Sequence, residues 1–485
     1  SDAIGLGVLT GASNIAIGRQ AGYDLTSGTY NFFGGYAAGF NATTADHTIA
    51  IGRLAIGVGV LTGTDNIAIG YQAGNDLTSG TYNNLMGYRA GYNITEGGHN
   101  VLQGYQVCLN ATTASNTIAI GKSAIGLGVL TGTDNTAIGY QAGYDLTSGT
   151  YNNFMGLQAG YNATTADNTI AIGRLALGLG VLTGTDNIAI GHQAGYDLTS
   201  GTYNNFMGYS AGANATTASY TVAIGYEAIG TGVLTGADNT VIGRQAGQDL
   251  TSGTYNFFGG FRAGYNATTS DSNIAIGQNA IGLGVLTGDN NVAVGRSAGY
   301  DLTSGATNVF VGYLAGSNVT TGADNTILGP NSGDALTTGS NNTIIGHNAA
   351  ASAVGVSNEI TFGDTSISAI RAQVTSISAL SDRRDKKDIK ELPVGLDFIN
   401  SLNPVEFTWN MRDGAKVGQK EAGFIAQELD EAQQNAGVEE LLNLVLKSNP
   451  DRLEAAPGKL IPILVKAIQE LSAEVKSLKL CKCNP

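Results

Sequence analysis

Over its first 365 residues the chain alternates short apolar triplets with small and polar residues in a fixed rhythm. "NIAIGRQAGYDLTSG" at Asn14 returns as "NIAIGYQAGNDLTSG" at Asn66 and "NTAIGYQAGYDLTSG" at Asn135. A glycine closes each triplet, from Gly18, Gly35 and Gly52 through to Gly346 and Gly363, and closures fall 17 or 18 residues apart. Within Ile15-Ala16-Ile17, large and small side chains alternate, the period of a strand with one buried face. Helix is disfavoured, because glycine costs ~1 kcal/mol at each helical interior position. Each unit therefore reads as strand, turn, strand, turn, with Gly18, Gly22 and Gly28 at corners that need positive φ or close backbone approach. Units ending "DLTSG", "NATTA" and "GVLTG" follow one another in a 52-residue superperiod, interrupted by one extra unit near Asn110. A coil this short cannot bury its own apolar side, so coils must stack into a continuous core. The pattern predicts a mainly β chain, a parallel β-solenoid rod of about 17-residue coils over residues 1–365. At ~4.8 Å per coil, twenty-one coils would make a rod about 100 Å long.

The recurring A-I-G-x-x-A of Ala16-Ile17-Gly18 and Ala21 resembles the head repeats of trimeric autotransporter adhesins and the repeat stalks of bacteriophage tail fibres. That resemblance implies a left-handed parallel β-roll, assembled as a homotrimer. The opening "SDAIGLGVLTG" matches "KSAIGLGVLTG" at Lys122 and so starts in mid-coil. A preceding N-terminal region that attaches to a phage tail is the expectation.

Composition divides the chain. Residues 1–380 hold nine Lys or Arg against twenty-one Asp or Glu, whereas the last 105 residues carry 15 basic and 17 acidic side chains. The expected organisation is a shaft to residue 365, a linker over 366–380, and a second domain over 381–485. The net charge of −14 argues against nucleic acid as a partner, since phosphate binding needs clustered Lys and Arg. No apolar run approaches the ~18 residues of a membrane span, and three cysteines exclude a disulfide framework.

The change is abrupt: Asp382 to Asp388 are all charged, directly after Leu380-Ser381. Beyond them, "PVGLDFINSLNPVEFTWN" predicts a short helix, a break at Pro404 and a strand ending near Trp409, and "AGFIAQELDEAQQ" a helix entered from Gly423. Ile461, Leu464, Ile468, Leu471, Val475 and Leu478 alternate spacings of three and four, the seam of a coiled coil, over a helix at about 459–480. Glu470, Glu474, Lys476 and Lys479 are expected to keep the other side in water. The second domain is thus a small α+β unit ending in a self-associating helix.

The ordered motifs from "SDRRDKKDI" through "GFIAQEL" resemble the intramolecular chaperone domain of phage endosialidases, tail fibres and tailspikes, found also in the myelin regulatory factor family. The resemblance implies a domain that assembles three chains, guides folding of the preceding β shaft, and then releases itself by autoproteolysis. It places the cut between Leu380 and Ser381, with Ser381 as nucleophile, Lys386 as base and Asp382 in support. Asp385 departs from the family pattern and is expected to hold Lys386 charged. The residues allow this chemistry independently. No histidine follows His347, so a Ser-His-Asp triad within the domain is excluded and a neutral lysine is the available base. An ordinary lysine titrates at ~10.4, so service near pH 7 requires a fall of about three units. Desolvation and the cations Arg383, Arg384 and Lys387 are the routes down.

In the shaft, Asp24, Asp76, Asp145, Asp197, Asp249 and Asp301 recur at one coil position and read as turn residues bonded to their own backbone. Triplets such as Asn41-Ala42-Thr43 match glycosylation acceptors but sit at corners. Tyr30, Phe32 and Phe33, with copies Tyr255, Phe257 and Phe258, read as packing between chains rather than as a sugar-stacking surface. His47, His99, His192 and His347 read as unrelated in phase, and no metal or cofactor site is expected. The functional expectation is a phage tail fibre, extracellular on the virion, that attaches to a glycan or protein of a bacterial surface. A polysaccharide-depolymerising tailspike, a bacterial trimeric adhesin and an ice-binding surface are the alternatives.

Overall fold

The computed structural model describes residues 9–371, 373, 381–412, 414 and 416–481. Twenty-one three-residue strands, β1 (Ile15–Ile17) to β21 (Ile360–Phe362), form one parallel sheet in which each strand pairs with the next along the chain. Register never slips. Ile15 lies opposite Phe32, Ala16 opposite Phe33 and Ile17 opposite Gly34, and the last pairing likewise sets Thr343 against Ile360. The parallel solenoid expected from the repeat is therefore the fold.

Each coil contains one strand rather than two. Among the described residues the rest of the coil contributes only an isolated bridge, Ala267 to Leu286. Left-handed residues such as Gln72 (φ 54) and Tyr82 (φ 57) bend it too often for a second run of extended backbone. Its N–H groups still donate to the following coil, as Thr78 does to the Thr95 carbonyl at 3.0 Å, so these bends leave the coils bonded to one another. Glycine at the corner after each strand is dictated by contact. Gly208 has φ +135, and a Cβ there would lie 2.4 Å from the Gly225 carbonyl oxygen.

The central residue of each strand points inward. Phe33, Phe154, Phe206, Phe258 and Phe310 are fully buried inside their own coils. These phenylalanines of the "TYNFF"-type copies therefore fill the coil core instead of packing between chains. In the coils centred on Ala50, Ala119 and Ala223 a corner residue of the same coil, Ile56, Ile125 or Ile229, supplies the bulk. In those centred on Ala68 and Ala137 the equivalent corner is Gly74 or Gly143, against which Leu85 or Phe154 of the next coil lies. The interior volume is kept by alternation, as close packing requires.

Beside this apolar core runs a buried polar column. The residue before each strand is Asn or Thr in nearly every coil, and Asn291, Asn308, Asn325 and Asn342 donate from Nδ2 to the Oδ1 of the asparagine one coil back at 3.0–3.1 Å. Asn308 Nδ2 also donates to the Gly322 carbonyl at 2.8 Å, closing the adjacent turn. The flanking residues of each strand face outward. Ile170 and Ile172 stack on Ile188 and Ile190, and the result is a partly exposed face of mainly apolar side chains along the sheet.

The C-terminal unit is small and α+β. Helix α1 (Leu396–Ser401) precedes an antiparallel pair, β22 (Val405–Thr408) and β23 (Lys420–Gly423). Gly423 ends that strand, and helix α2 (Ala426–Asn435) starts three residues later, so the helix is not entered from the glycine. A short helix, α3 (Glu439–Leu442), a two-residue pair, β24 (Val445–Leu446) with β25 (Glu454–Ala455), and a long helix, α4 (Ile461–Cys481), complete it. Phe398, Leu429, Leu442, Leu444, Leu460 and Ile463 form its core.

Helix α4 is tied to the first residue of α1 and to the chain before it by two polar contacts. Glu470 Oε2 accepts the Leu396 N–H at 2.7 Å, and Lys466 Nζ donates to the Leu392 carbonyl at 2.7 Å. Glu470 is thus a structural clamp rather than a solvated flank. The opposite stripe, including Leu464, Ile468, Leu471 and Leu478, stays exposed, Ile468 by 65%.

Candidate self-cleavage site

A single 3-10 turn over Arg383–Asp385 opens the terminal unit. Asp382 caps it, with extended backbone (φ −68, ψ 140) and Oδ1 accepting the Arg384 N–H at 2.8 Å. The Arg384 guanidinium folds back on the same carboxylate, its terminal nitrogen 2.7 Å from Oδ2. Two backbone bonds of 3.2 Å, from the Asp385 N–H to the Asp382 carbonyl and from the Lys386 N–H to the Arg383 carbonyl, close the turn. An acidic N-cap is favoured at a turn start because its oxygen satisfies an otherwise unpartnered amide.

The turn returns the chain on itself, so residues five apart in sequence meet. Lys386 Nζ donates to Ser381 Oγ at 2.5 Å. Both side chains are exposed. The Arg384 side chain, and after it the Arg384 backbone N–H, holds the Asp382 carboxyl below the ordinary carboxylate range, and Asp382 raises Arg384 in return. Arg383, Asp385 and Lys387 form no ion pair among the described residues, so Asp385 does not hold Lys386 by direct contact.

Three of the residues singled out from sequence, Ser381, Asp382 and Lys386, are therefore gathered in one turn. Leu380, the other side of the expected cut, lies outside the described residues, as does Cys483. Sequence reasoning missed Arg384 as the partner of Asp382. The signal for it was present, since an acid two residues before an arginine at a turn start sets up this bidentate return.

Among the described residues the shaft carries no comparable cluster. The six recurrent aspartates do not bond to their own backbone. Asp76 accepts from Asn75 Nδ2 at 2.6 Å and Asp249 accepts from the Thr231 hydroxyl one coil back. The histidines fall into two phases, not four. His47 and His99 occupy the same corner and stack on Tyr30 and Tyr82 at 5.3 and 4.9 Å. His192 and His347 share the position after the corner glycine. Asn41 and Asn162, from the glycosylation-like triplets, donate to the next coil at Val58 and Leu179, each at 2.7 Å. Among the described residues no helix is long and apolar enough to cross a membrane.

Residues 381–438 match the family described as the chaperone of endosialidase. The match begins at Ser381, the first residue of the dyad, and ends before β24, β25 and α4. No curated protein matches the chain. A segment of this family at the C-terminal end of a β-solenoid rod fits a tailspike- or fibre-type protein.

Proposed function

We propose that this chain, a β-solenoid rod ending in a segment similar to the endosialidase chaperone, is a homotrimeric fibre of a phage virion that attaches to a bacterial surface glycan or protein. In this reading the shaft spans residues 1–365, and residues 381–485 trimerise the chain, guide its folding and then cut themselves away between Leu380 and Ser381. The observation that carries it is the 2.5 Å contact of Lys386 Nζ with Ser381 Oγ at the first residue of the matched segment.

The chemistry follows from that contact. Once Lys386 has lost a proton, its Nζ takes the hydroxyl proton of Ser381, and Oγ attacks the Leu380 carbonyl carbon. The Leu380–Ser381 C–N bond breaks, the freed amine of Ser381 takes the proton from Lys386, and an ester joins Leu380 to Oγ. Water then hydrolyses the ester, leaving a carboxylate on Leu380 and restoring Ser381. Asp382 and Arg384 hold the turn that brings the pair together. In one chain the pair is open to water. Closure of three chains over it would supply the desolvation that lysine needs to act as a base, which ties cutting to completed assembly.

Two surfaces support the oligomer. The outward strand residues form an apolar face along the shaft, and α4 leaves Ile461, Leu464, Ile468, Leu471, Val475 and Leu478 uncovered. Apolar surface of this extent marks an association site, and the alternation of three and four on α4 fits a coiled coil. The test is mass spectrometry of the expressed chain. Wild type should release a fragment beginning at Ser381, while Ser381→Ala and Lys386→Ala remain whole. An intact wild-type chain recovered from a folded trimer would refute the cleavage.

A further inference from the structure

The exposed face of the sheet has two edges, and they differ in charge. One edge is the residue after each corner glycine. It holds Arg19, Arg53, Lys122, Arg174, Arg244 and Arg296, six of the nine Lys and Arg in residues 1–380, and from Arg19 to His347 it contains no carboxylate. The other edge is the residue two before each strand. It holds Asp65, Asp134, Asp186, Asp238 and Asp324, and no Lys or Arg. In a shaft with few charges, this separation by edge is not a product of composition.

The basic edge is also held in place. The Arg53 guanidinium lies between the Tyr36 and Tyr71 rings, 5.7 and 5.8 Å from their centroids. Lys122 is placed in the same way between Tyr105 and Tyr140 at 5.9 and 5.6 Å, and Arg174 contacts the His192 ring at 2.5 Å. All three side chains are exposed, and none pairs with a carboxylate of its own chain among the described residues. They cannot reach the acidic edge of their own face, since the two edges are six residue steps apart, ~20 Å along extended backbone.

We propose that neighbouring copies of the rod are keyed by ion pairs between Arg53, Lys122 and Arg174 on one copy and Asp65, Asp134 and Asp186 on the next. This rests on the trimer reading above. In a parallel ring of three with the apolar faces inward, each contact is heterologous, so the leading edge of one face meets the trailing edge of its neighbour. Edges of opposite sign satisfy that requirement, whereas antiparallel pairing would set acid against acid. The axial spacing also agrees. Each proposed pair is twelve residues apart in sequence (53 and 65, 122 and 134, 174 and 186) and so one coil apart along the rod. One coil is ~4.8 Å, within the reach of an arginine or lysine side chain. Because the pairs recur with the superperiod, they fix axial register, which the uniform apolar face by itself leaves open to slippage.

The test is cross-linking of the full chain with Cys481→Ser and Cys483→Ser in the background. Arg53→Cys combined with Asp65→Cys, treated with a bis-maleimide shorter than the ~20 Å face, should give covalent dimers and trimers on a denaturing gel, and each single variant only monomers. Only monomers from the double variant, with a native mass still trimeric, would overturn the keying and leave the trimer standing. A monomeric native mass would overturn both. As a second arm, R53E/K122E/R174E should lower trimer yield at least tenfold in low salt, and adding D65R/D134R/D186R should restore it. The acidic-edge backbone accepts other side chains, since Tyr82 and Tyr151 occupy the same corner at φ 57. Failure of the reversal to restore assembly, when the first set has weakened it, would also overturn the keying.

Discussion

Replacing Asn308 tests how much of the shaft's cohesion lies in its buried asparagine column. Asn308 is fully buried. Its Nδ2 donates to Asn291 Oδ1 at 3.0 Å and to the Gly322 carbonyl at 2.8 Å. Its Oδ1 accepts from the Asn325 N–H at 3.0 Å and from Asn325 Nδ2 at 3.1 Å. Asn308→Ala removes all four bonds and leaves the buried Asn325 amide without its acceptor. At about 1 kcal/mol net per neutral bond, with the stranded donor as the largest single contribution, the cost is about 4 kcal/mol. Asn308→Thr should cost about half. Threonine occupies the equivalent site at Thr221, where its N–H still donates to Asn204 Oδ1 at 3.1 Å and its hydroxyl is satisfied by the Ser219 carbonyl at 3.3 Å. A stacked array does not unfold in one step, so the measurement is native-state hydrogen exchange in peptides covering residues 305–330. Since 1.4 kcal/mol is a factor of ten, exchange should accelerate roughly a thousandfold for alanine and about thirtyfold for threonine. Rates within a factor of ten of wild type for both would refute the idea that the column binds coil to coil.

Other perturbations test other parts of the structure. Phe206→Ala should destabilise its coil by about 3–5 kcal/mol, because a fully buried ring is lost, and local exchange reads it. Gly212→Ala should be costly by itself, with φ +59 and an added Cβ 2.7 Å from the Phe206 ring, and a lowered melting temperature checks it. Burial raises the carboxyls of Asp145 and Asp197. A carboxyl raised by folding contributes stability below its unfolded value and loses it as pH rises through the folded value, so Asp145→Asn and Asp197→Asn should raise the melting temperature at pH 7 and leave it unchanged at pH 3. Ile468→Glu should leave the fold of the terminal unit intact, because the side chain is exposed, yet abolish self-association in sedimentation.

Much of this protein was legible from residue order. A 17- or 18-residue recurrence of an apolar triplet and a glycine has one economical solution, since the strand must bury one side and the glycine must admit a left-handed corner against the next coil. Ser381, Asp382 and Lys386 were named through the resemblance carried by "SDRRDKKDI", and the meeting of Ser381 with Lys386 is a local matter, because a single turn closes over five residues. The α1 helix and the Pro404 break were likewise local.

What sequence could not decide was which side of each residue faces the interior. Phe33 and Phe32 are adjacent and chemically alike, yet one is buried in the coil and the other partly exposed, a choice set by the pleat. His47 and His99 lie one 52-residue superperiod apart, so their common phase was present in the sequence. Their stacking on Tyr30 and Tyr82 and the asparagine column, whose partners lie 17 or 18 residues away on neighbouring turns, exist only in the stacked coils. Glu470 reads as solvated on a helical wheel and becomes a clamp only because α4 brings it to an amide 74 residues earlier. Periodicity is a property of the chain and survives in the sequence. Contact between distant segments is a property of packing, where close-packed volume and the need to satisfy every buried polar group select one arrangement among many that the sequence pattern allows.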